Sequence, residues 1–261
     1  MKTNKLRALL KSGQPTLGTR LHNVWPSMVE VIGHTGMFDY VEFLAEYAAY
    51  TLPDLENFCR AAELYDLGTM IKIDQESNQF VAQRAIGAGF QSVLFADCRS
   101  VEDARQCVRA VRPDTPMDGG SYGAAMRRFA YMEYGGSAEY VQALRDIVVV
   151  LMIEKQPAVE QLDEILSVGG IDLVQWGPAD YAMSIGRPGE RKIAQVKEAE
   201  RKVIDTCLRL GIPARVEINT PDEAGPYLDL GFRHFNMGSD LKVMFNWWRD
   251  SGQALREKMK A

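Results

Sequence analysis

Short apolar runs rich in β-branched and aromatic residues alternate along the chain with longer stretches whose apolar positions recur every three or four residues. Six of the short runs follow a glycine: HTGMFDYVEFL (34–44), DLGTMIKI (66–73), GAGFQSVLFA (87–96), VGGIDLVQW (168–176), LGIPARVEI (210–218) and LGFRHFNMG (230–238). The longer period predicts helices packed on one face, and the short unbroken runs predict strands buried on both faces. Glycine suits the junction because it adopts the left-handed conformation that closes a helix. TLGTRL (16–21) and IVVVLMIE (147–154) complete a set of eight strands. Helix starts carry cap signals. Thr220-Pro221-Asp222-Glu223 reads as a capping box, and Thr51 and Ser100 each precede a carboxylate by three residues.

Eight strands alternating with helices over roughly 250 residues is the arithmetic of a (β/α)₈ TIM barrel. A doubly wound open sheet is the other arrangement, but the first strand-to-helix turn, LHNVWPS, lacks a glycine-rich phosphate loop. No boundary divides the chain, so residues 1–261 are expected to form one barrel domain. MKTNKLRALLKSGQPT, at the start, reads as a short surface helix outside the barrel. The longest irregular stretch, 112–140, is long enough to expect a lid or a subunit contact.

Composition changes this picture little. Hydrophobic residues make up 46% and charged residues 25%, as in an ordinary soluble globular protein. A net charge of −5 gives no reason to expect nucleic acid or an anionic membrane as partner. No apolar run is long enough to span a membrane or to serve as a signal-peptide core, which points to the cytoplasm. Cys59, Cys98, Cys107 and Cys207 have no C-x-x-C spacing and are expected to be buried, reduced thiols.

In a (β/α)₈ barrel the chemistry sits at the C-terminal strand ends. The polar residues there are Arg20 and His22 after strand 1, Glu46 and Tyr47 after strand 2, and Lys72 and Asp74 on strand 3. Asp97, Glu154-Lys155 and Asp180 follow strands 4, 5 and 6. Glu217 and Asn219 belong to strand 7, and Ser239 and Asp240 to strand 8. Glu154 and Asp180 stand past neighbouring strands, and two carboxylates that close need a cation or a proton between them. Hard oxygen ligands suit Mg²⁺ or Mn²⁺. On spacing alone the plainer assignment prevails, with Asp180 an N-cap and Glu154 paired to a lysine. His34 and His234 read as structural, and His22 faces the mouth. Nothing resembles a serine-hydrolase elbow, a zinc-protease helix or a P-loop.

Several stretches together resemble the HpcH/HpaI-type class II 2-keto acid aldolases: GTRL, TLPDLENFCRAAE, VEDARQCVRAVR, LMIEKQPAVEQLDEI, WGPADYAMSIG and YLDLGFRHFNMGSD. The resemblance implies a pyruvate-binding (β/α)₈ barrel, often hexameric, whose last helix is exchanged between subunits; Trp247 and Trp248 would suit such a helix. It implies that Glu154 and Asp180 hold a divalent metal. It implies too that backbone around Gly177, Pro178 and Ala179 binds the carboxylate of a 2-keto acid. Metal and keto acid together then stabilise the enolate left when the bond to an aldehyde breaks.

The chain departs from the family where protons move. The D-x-E-H-G after strand 2 is LAEYA here, so Leu44 replaces the aspartate, Tyr47 replaces the histidine, and Glu46 remains. The strand 3 arginine is Lys72, and the glutamine of Q-I-E is Met152. DGGSYG in the long loop lacks the family's arginine, although Arg127 and Arg128 follow. The first expectation is therefore a metal-dependent carbon–carbon lyase with an altered base, in which Tyr47, Glu46, Lys72 and His22 handle protons and position the substrate. The alternatives are related enolate chemistry, such as 2-keto acid decarboxylation or acyl-CoA cleavage, and a non-catalytic binding protein on the same scaffold.

Overall fold

A computed structural model describes residues 2–75, 78–124 and 134–260. Eight strands pair in parallel in chain order: Thr16–Leu21 (β1), Tyr40–Leu44 (β2), Gly68–Ile73 (β3), Ser92–Phe95 (β4), Val148–Ile153 (β5), Leu173–Trp176 (β6), Ala214–Ile218 (β7) and His234–Ser239 (β8). β8 pairs with β1, with Thr16 opposite His234, so the barrel is closed and the open sheet is excluded. Seven strands lie inside a run that the hydrophobic pattern marked, and β8 extends one residue beyond its run, to Ser239.

Side-chain alternation divides these strands between two cores. Val41, Phe43, Ile71, Val93, Val149 and Leu151 face outward into one layer with the helices, packing with Leu55 and Phe58 of Leu52–Leu64 (α3). The Phe58 and Phe90 rings stack there with centroids 5.4 Å apart. Tyr40, Met70, Leu94, Val148, Val150 and Met152 face inward and fill the barrel. Covering on both faces explains why β2, β3, β4 and β5 are buried along their whole length.

The N-terminal helix differs from expectation. Helix Lys5–Lys11 (α1) plugs the bottom of the barrel rather than lying on the surface. Leu6 is fully buried in the inner cluster, and Asn4 donates to the backbone carbonyls of Gln91 and Asp146 at 2.7 and 2.8 Å. The barrel's lower opening exposes carbonyls and apolar side chains, and this helix satisfies both.

Above the inner apolar layer lies a polar one. Arg215, wholly buried, pairs with Glu42 and donates to Gln175; Gln175 donates to Glu217 at 2.6 Å, and Glu217 pairs with Arg20. Asn236 donates to Glu42 at 2.6 Å. Buried charges persist because each meets an opposite charge and further hydrogen bonds.

Two caps form as expected. Ser100 accepts from the Asp103 amide, and Asp54 accepts from the Thr51 amide at 2.7 Å. The third does not form. Pro221–Ala224 winds as a 3₁₀ turn before the short helix Gly225–Asp229, and Glu223 accepts from the Asn219 amide at 2.8 Å instead of from Thr220. The tighter winding carries the carboxylate one residue past the cap. All four cysteines are buried. Among the described residues, no helix is long and apolar enough to cross a membrane.

Candidate active site

The C-terminal strand ends open into a cavity of about 500 Å³. His22, Tyr47, Lys72, Gly177, Pro178, Ala179 and Asp180 line it. Glu154 lies just beneath its floor, and Glu46 reaches its edge through Lys72. The residues singled out from sequence are thus brought to one place, apart from Arg127 and Arg128, which lie outside the described residues.

Glu154 leaves the end of β5 and is 1% exposed. Its Oε1 accepts from the Asp97 amide at 2.9 Å, while its Oε2 is buried without a hydrogen-bond partner. Burial pushes its pKa up to about 7; the Asp97 amide and the Lys72 ammonium oppose the rise, and the charges of Asp180 and Asp97 add to it. Asp180 is the third residue of helix Pro178–Ser184 (α9), whose N-cap is Gly177 with no side-chain cap bond. Asp180 therefore does not cap its helix. Glu154 has no lysine ion pair among the described residues either: the adjacent Lys155 pairs with Asp97 at 2.7 Å and Asp180 at 3.1 Å. Consecutive residues leave a strand on opposite sides, so Lys155 cannot reach its own neighbour's carboxylate.

This donor set fits a divalent cation. One carboxylate oxygen is buried with no hydrogen-bond donor, a second carboxylate stands beside it half in solvent, and both are hard ligands. Among the described residues, no cluster of three or more histidine, cysteine or acidic side chains is poised to hold a metal. Two protein ligands would leave the remaining positions to water and substrate. Gly177 keeps the pocket open: a Cβ there would lie 2.5 Å from Glu154 Oε2 and 2.6 Å from its Cβ.

A second cluster lies opposite. Lys72 Nζ, buried, is 2.6 Å from Glu46 Oε2 and donates to Tyr47 Oη at 2.6 Å. Burial alone would lower the lysine pKa, but Tyr47 and Glu46 outweigh it and the ammonium is held charged. Tyr47 is 58% exposed as a residue, yet its hydroxyl turns inward. Desolvation pushes that phenol up to about 12 against the pull of Lys72, so at neutral pH it is a proton donor and a poor base.

A third arrangement was not foreseen. His22 Nδ1 lies 3.0 Å from Asp240 Oδ1, and the same carboxylate accepts from the His22 amide and from Asn23. The Asp240 side chain is fully buried. The His22 and Tyr47 rings face each other across the mouth, centroids 6.5 Å apart and planes 28° from parallel. His34 and His234 are elsewhere, hydrogen-bonded to Tyr65 and Thr16.

The sequence pattern of the HpcH/HpaI aldolase/citrate lyase family matches residues 24–246. The chain belongs to this family. It is therefore an enzyme of the family's class, a lyase that makes or breaks a carbon–carbon bond. Among its relatives, the hydroxypyruvate/pyruvate aldolase of Paraburkholderia phytofirmans is 27% identical over 98% of this chain and 97% of that one. A 2-keto-3-deoxy-L-rhamnonate aldolase of Escherichia coli is 29% identical over 92% of this chain and 89% of that one. The crystal structure of an HpcH/HpaI aldolase/citrate lyase family protein from Burkholderia cenocepacia superposes with a TM-score of 0.87 at 25% identity, covering 97% of this chain and all of that one.

Leu44, which closes β2, is buried and apolar, so it can neither orient nor charge a neighbouring base. Sequence reading missed the partner of His22 because 218 positions separate it from Asp240. The available signal was Asp240 directly after β8, in the spatial neighbour of β1.

Proposed function

We propose that this enzyme is a class II aldolase whose nucleophilic half is pyruvate or a close 2-keto acid, and that Glu154 and Asp180 hold its Mg²⁺ or Mn²⁺. The observation that carries the assignment is the buried, unpartnered Oε2 of Glu154 beside Asp180. When bound, the cation supplies Lewis-acid polarisation of the keto acid's oxygens. The relatives include hydroxypyruvate/pyruvate aldolases, which supports the choice of keto acid.

The chain's own residues supply the rest. The first turn of α9 leaves amides without intrahelical acceptors; the Gly177 amide donates to the Ile153 carbonyl and Pro178 has none, so the Ala179 amide, with Asp180's after it, binds the substrate carboxylate, and Gly177 and Pro178 shape the turn. Lys72 holds a positive charge near the reacting oxygens, where Glu46 keeps its ammonium in place. The Tyr47 phenol donates a hydrogen bond or a proton from the cavity rim. Proton removal falls to a side chain at the mouth. The aldehyde half lies toward the open side of the cavity. The enzyme works as a cytoplasmic homo-oligomer, a hexamer by family pattern, with its exposed C-terminal helix Asp240–Lys258 (α12) exchanged between subunits.

Release of CO₂ from oxaloacetate tests this reading without knowledge of the aldehyde. With Mg²⁺ or Mn²⁺ the wild type should accelerate release, and Asp180→Ala should abolish the metal-dependent part. Equal rates with and without cation would refute the assignment.

A further inference from the structure

The family's proton-transfer dyad is gone from β2, but an aspartate–histidine pair stands at the same mouth on β1 and β8. We propose that His22 is the enzyme's general base and acid, with Asp240 as its positioning residue. This rests on the lyase reading above and adds to it the identity of the missing base.

Four observations lead here. First, His22 lines the cavity while its Nδ1 faces a fully buried carboxylate at 3.0 Å. A carboxylate only accepts, so it selects the tautomer with the proton on Nδ1 and leaves Nε2 as a lone pair. Second, Asp240 is itself fixed. It accepts from the His22 amide, the Asn23 amide group and the Leu241 amide, so it can hold the ring at one angle. Third, the rival bases are occupied or mismatched. Glu46 is in an ion pair with Lys72, and Tyr47 keeps its proton at neutral pH. Fourth, the His22 and Tyr47 rings are 6.5 Å apart. The imidazole and the phenol therefore flank the same space.

The step balances as follows. In the exchange direction, Nε2 takes a proton from C3 of pyruvate. The C–H bond breaks, its electron pair passes into the enolate, and the ring becomes imidazolium beside Asp240. The imidazolium returns the proton to C3, or trades it with solvent first. In cleavage, Nε2 takes the proton of the C4 hydroxyl, the C3–C4 bond breaks, the aldehyde carbonyl forms, and the same proton is delivered to C3. The other charged groups at this cavity are Arg20 paired with Glu217, Lys72 paired with Glu46, Arg215 paired with Glu42, Asp180 paired with Lys155, Arg191, Glu200, and Lys242, which donates to Asn219.

The experiment compares two rates in the full-length, Mn²⁺-loaded protein: replacement of pyruvate methyl protons by deuterium in D₂O, followed by NMR, and release of CO₂ from oxaloacetate. Only the first requires a base. His22→Gln should slow methyl exchange at least about 100-fold, the scale of general base catalysis, while CO₂ release, whose bond-breaking step needs no base, still shows a metal-dependent rate. Retained CO₂ release also shows that the variant is folded. Asp240→Asn should slow exchange about tenfold through kcat, with the KM for pyruvate unchanged, because the ring is no longer held in one tautomer. A loss carried by KM or by the folded fraction instead would overturn its positioning role. Exchange by His22→Gln within threefold of wild type would overturn the base assignment. So would a wild type that releases CO₂ but never exchanges methyl protons, with the lyase reading left standing. A wild type inactive in both assays would remove the lyase reading and this inference together.

Discussion

At the scale of single residues the site is defined by carboxylates with unequal surroundings. Glu154 is buried and its pKa in the cation-free protein is lifted to about 7, from 4.5 in the open chain. A raised acid contributes stability below its unfolded pKa, and that contribution disappears as pH climbs through the folded one. The cation-free enzyme should therefore lose stability between about pH 4.5 and 7, by roughly 3 kcal/mol in total, and thermal melts across that window measure it. A cation needs the ionised carboxylate, so the same shift makes the apparent Mn²⁺ affinity fall about tenfold per pH unit below pH 7; titrations at pH 5, 6 and 7 would show it. Gly177 belongs to this scale too. An added Cβ would lie 2.5 Å from Glu154 Oε2, so Gly177→Ala should lower stability by about 1–3 kcal/mol and weaken Mn²⁺ binding, read by denaturation and titration of one preparation. Individual residues were only partly legible in the sequence. Glu154 and Asp180 could be named, because each ends an apolar run. Their neighbours could not: Lys155 bridges Asp97 and Asp180, and His22 meets Asp240, through contacts that only barrel closure creates.

At the scale of elements the chain is easier to read. The strands announce themselves because burial on both faces requires unbroken apolar runs, as in VVVLMI of β5. Local chemistry is less faithful. The signal at Thr220 is that of a capping box, yet the chain winds a 3₁₀ turn there and Glu223 serves Asn219. The N-terminal helix is amphipathic over only seven residues, too few to say whether its apolar side meets solvent or a barrel bottom. Its role is testable. Leu6 is buried among Tyr40, Met70 and Leu94, so Leu6→Ala should destabilise the fold by about 2–5 kcal/mol, as measured by chemical denaturation, while leaving Mn²⁺ affinity unchanged because the site is at the other end of the barrel.

At the scale of the whole molecule the barrel separates stability from chemistry. The plugged lower end and the Arg215–Glu42–Gln175 layer fix the strand ends, and the upper mouth is left to functional side chains. One surface does not belong to a finished monomer. α12 exposes Leu241, Phe245, Trp247 and Trp248, with the two tryptophans 65% and 62% exposed. So much apolar area on one helix favours a partner copy of the chain. Light scattering after size exclusion should find an oligomer, and replacing both tryptophans by serine should shift it toward monomer. The sequence carried the tryptophans but not their exposure, which depends on where α12 leaves the barrel.

The central claim is that Glu154 and Asp180 together make a divalent-cation site. Calorimetric titration of the purified protein with Mn²⁺ at pH 7.5 addresses it directly. The wild type should bind one ion per chain, and Glu154→Gln and Asp180→Asn should each weaken binding at least about 100-fold while remaining folded. Unchanged affinity in both variants, or no binding by the wild type, would contradict the claim.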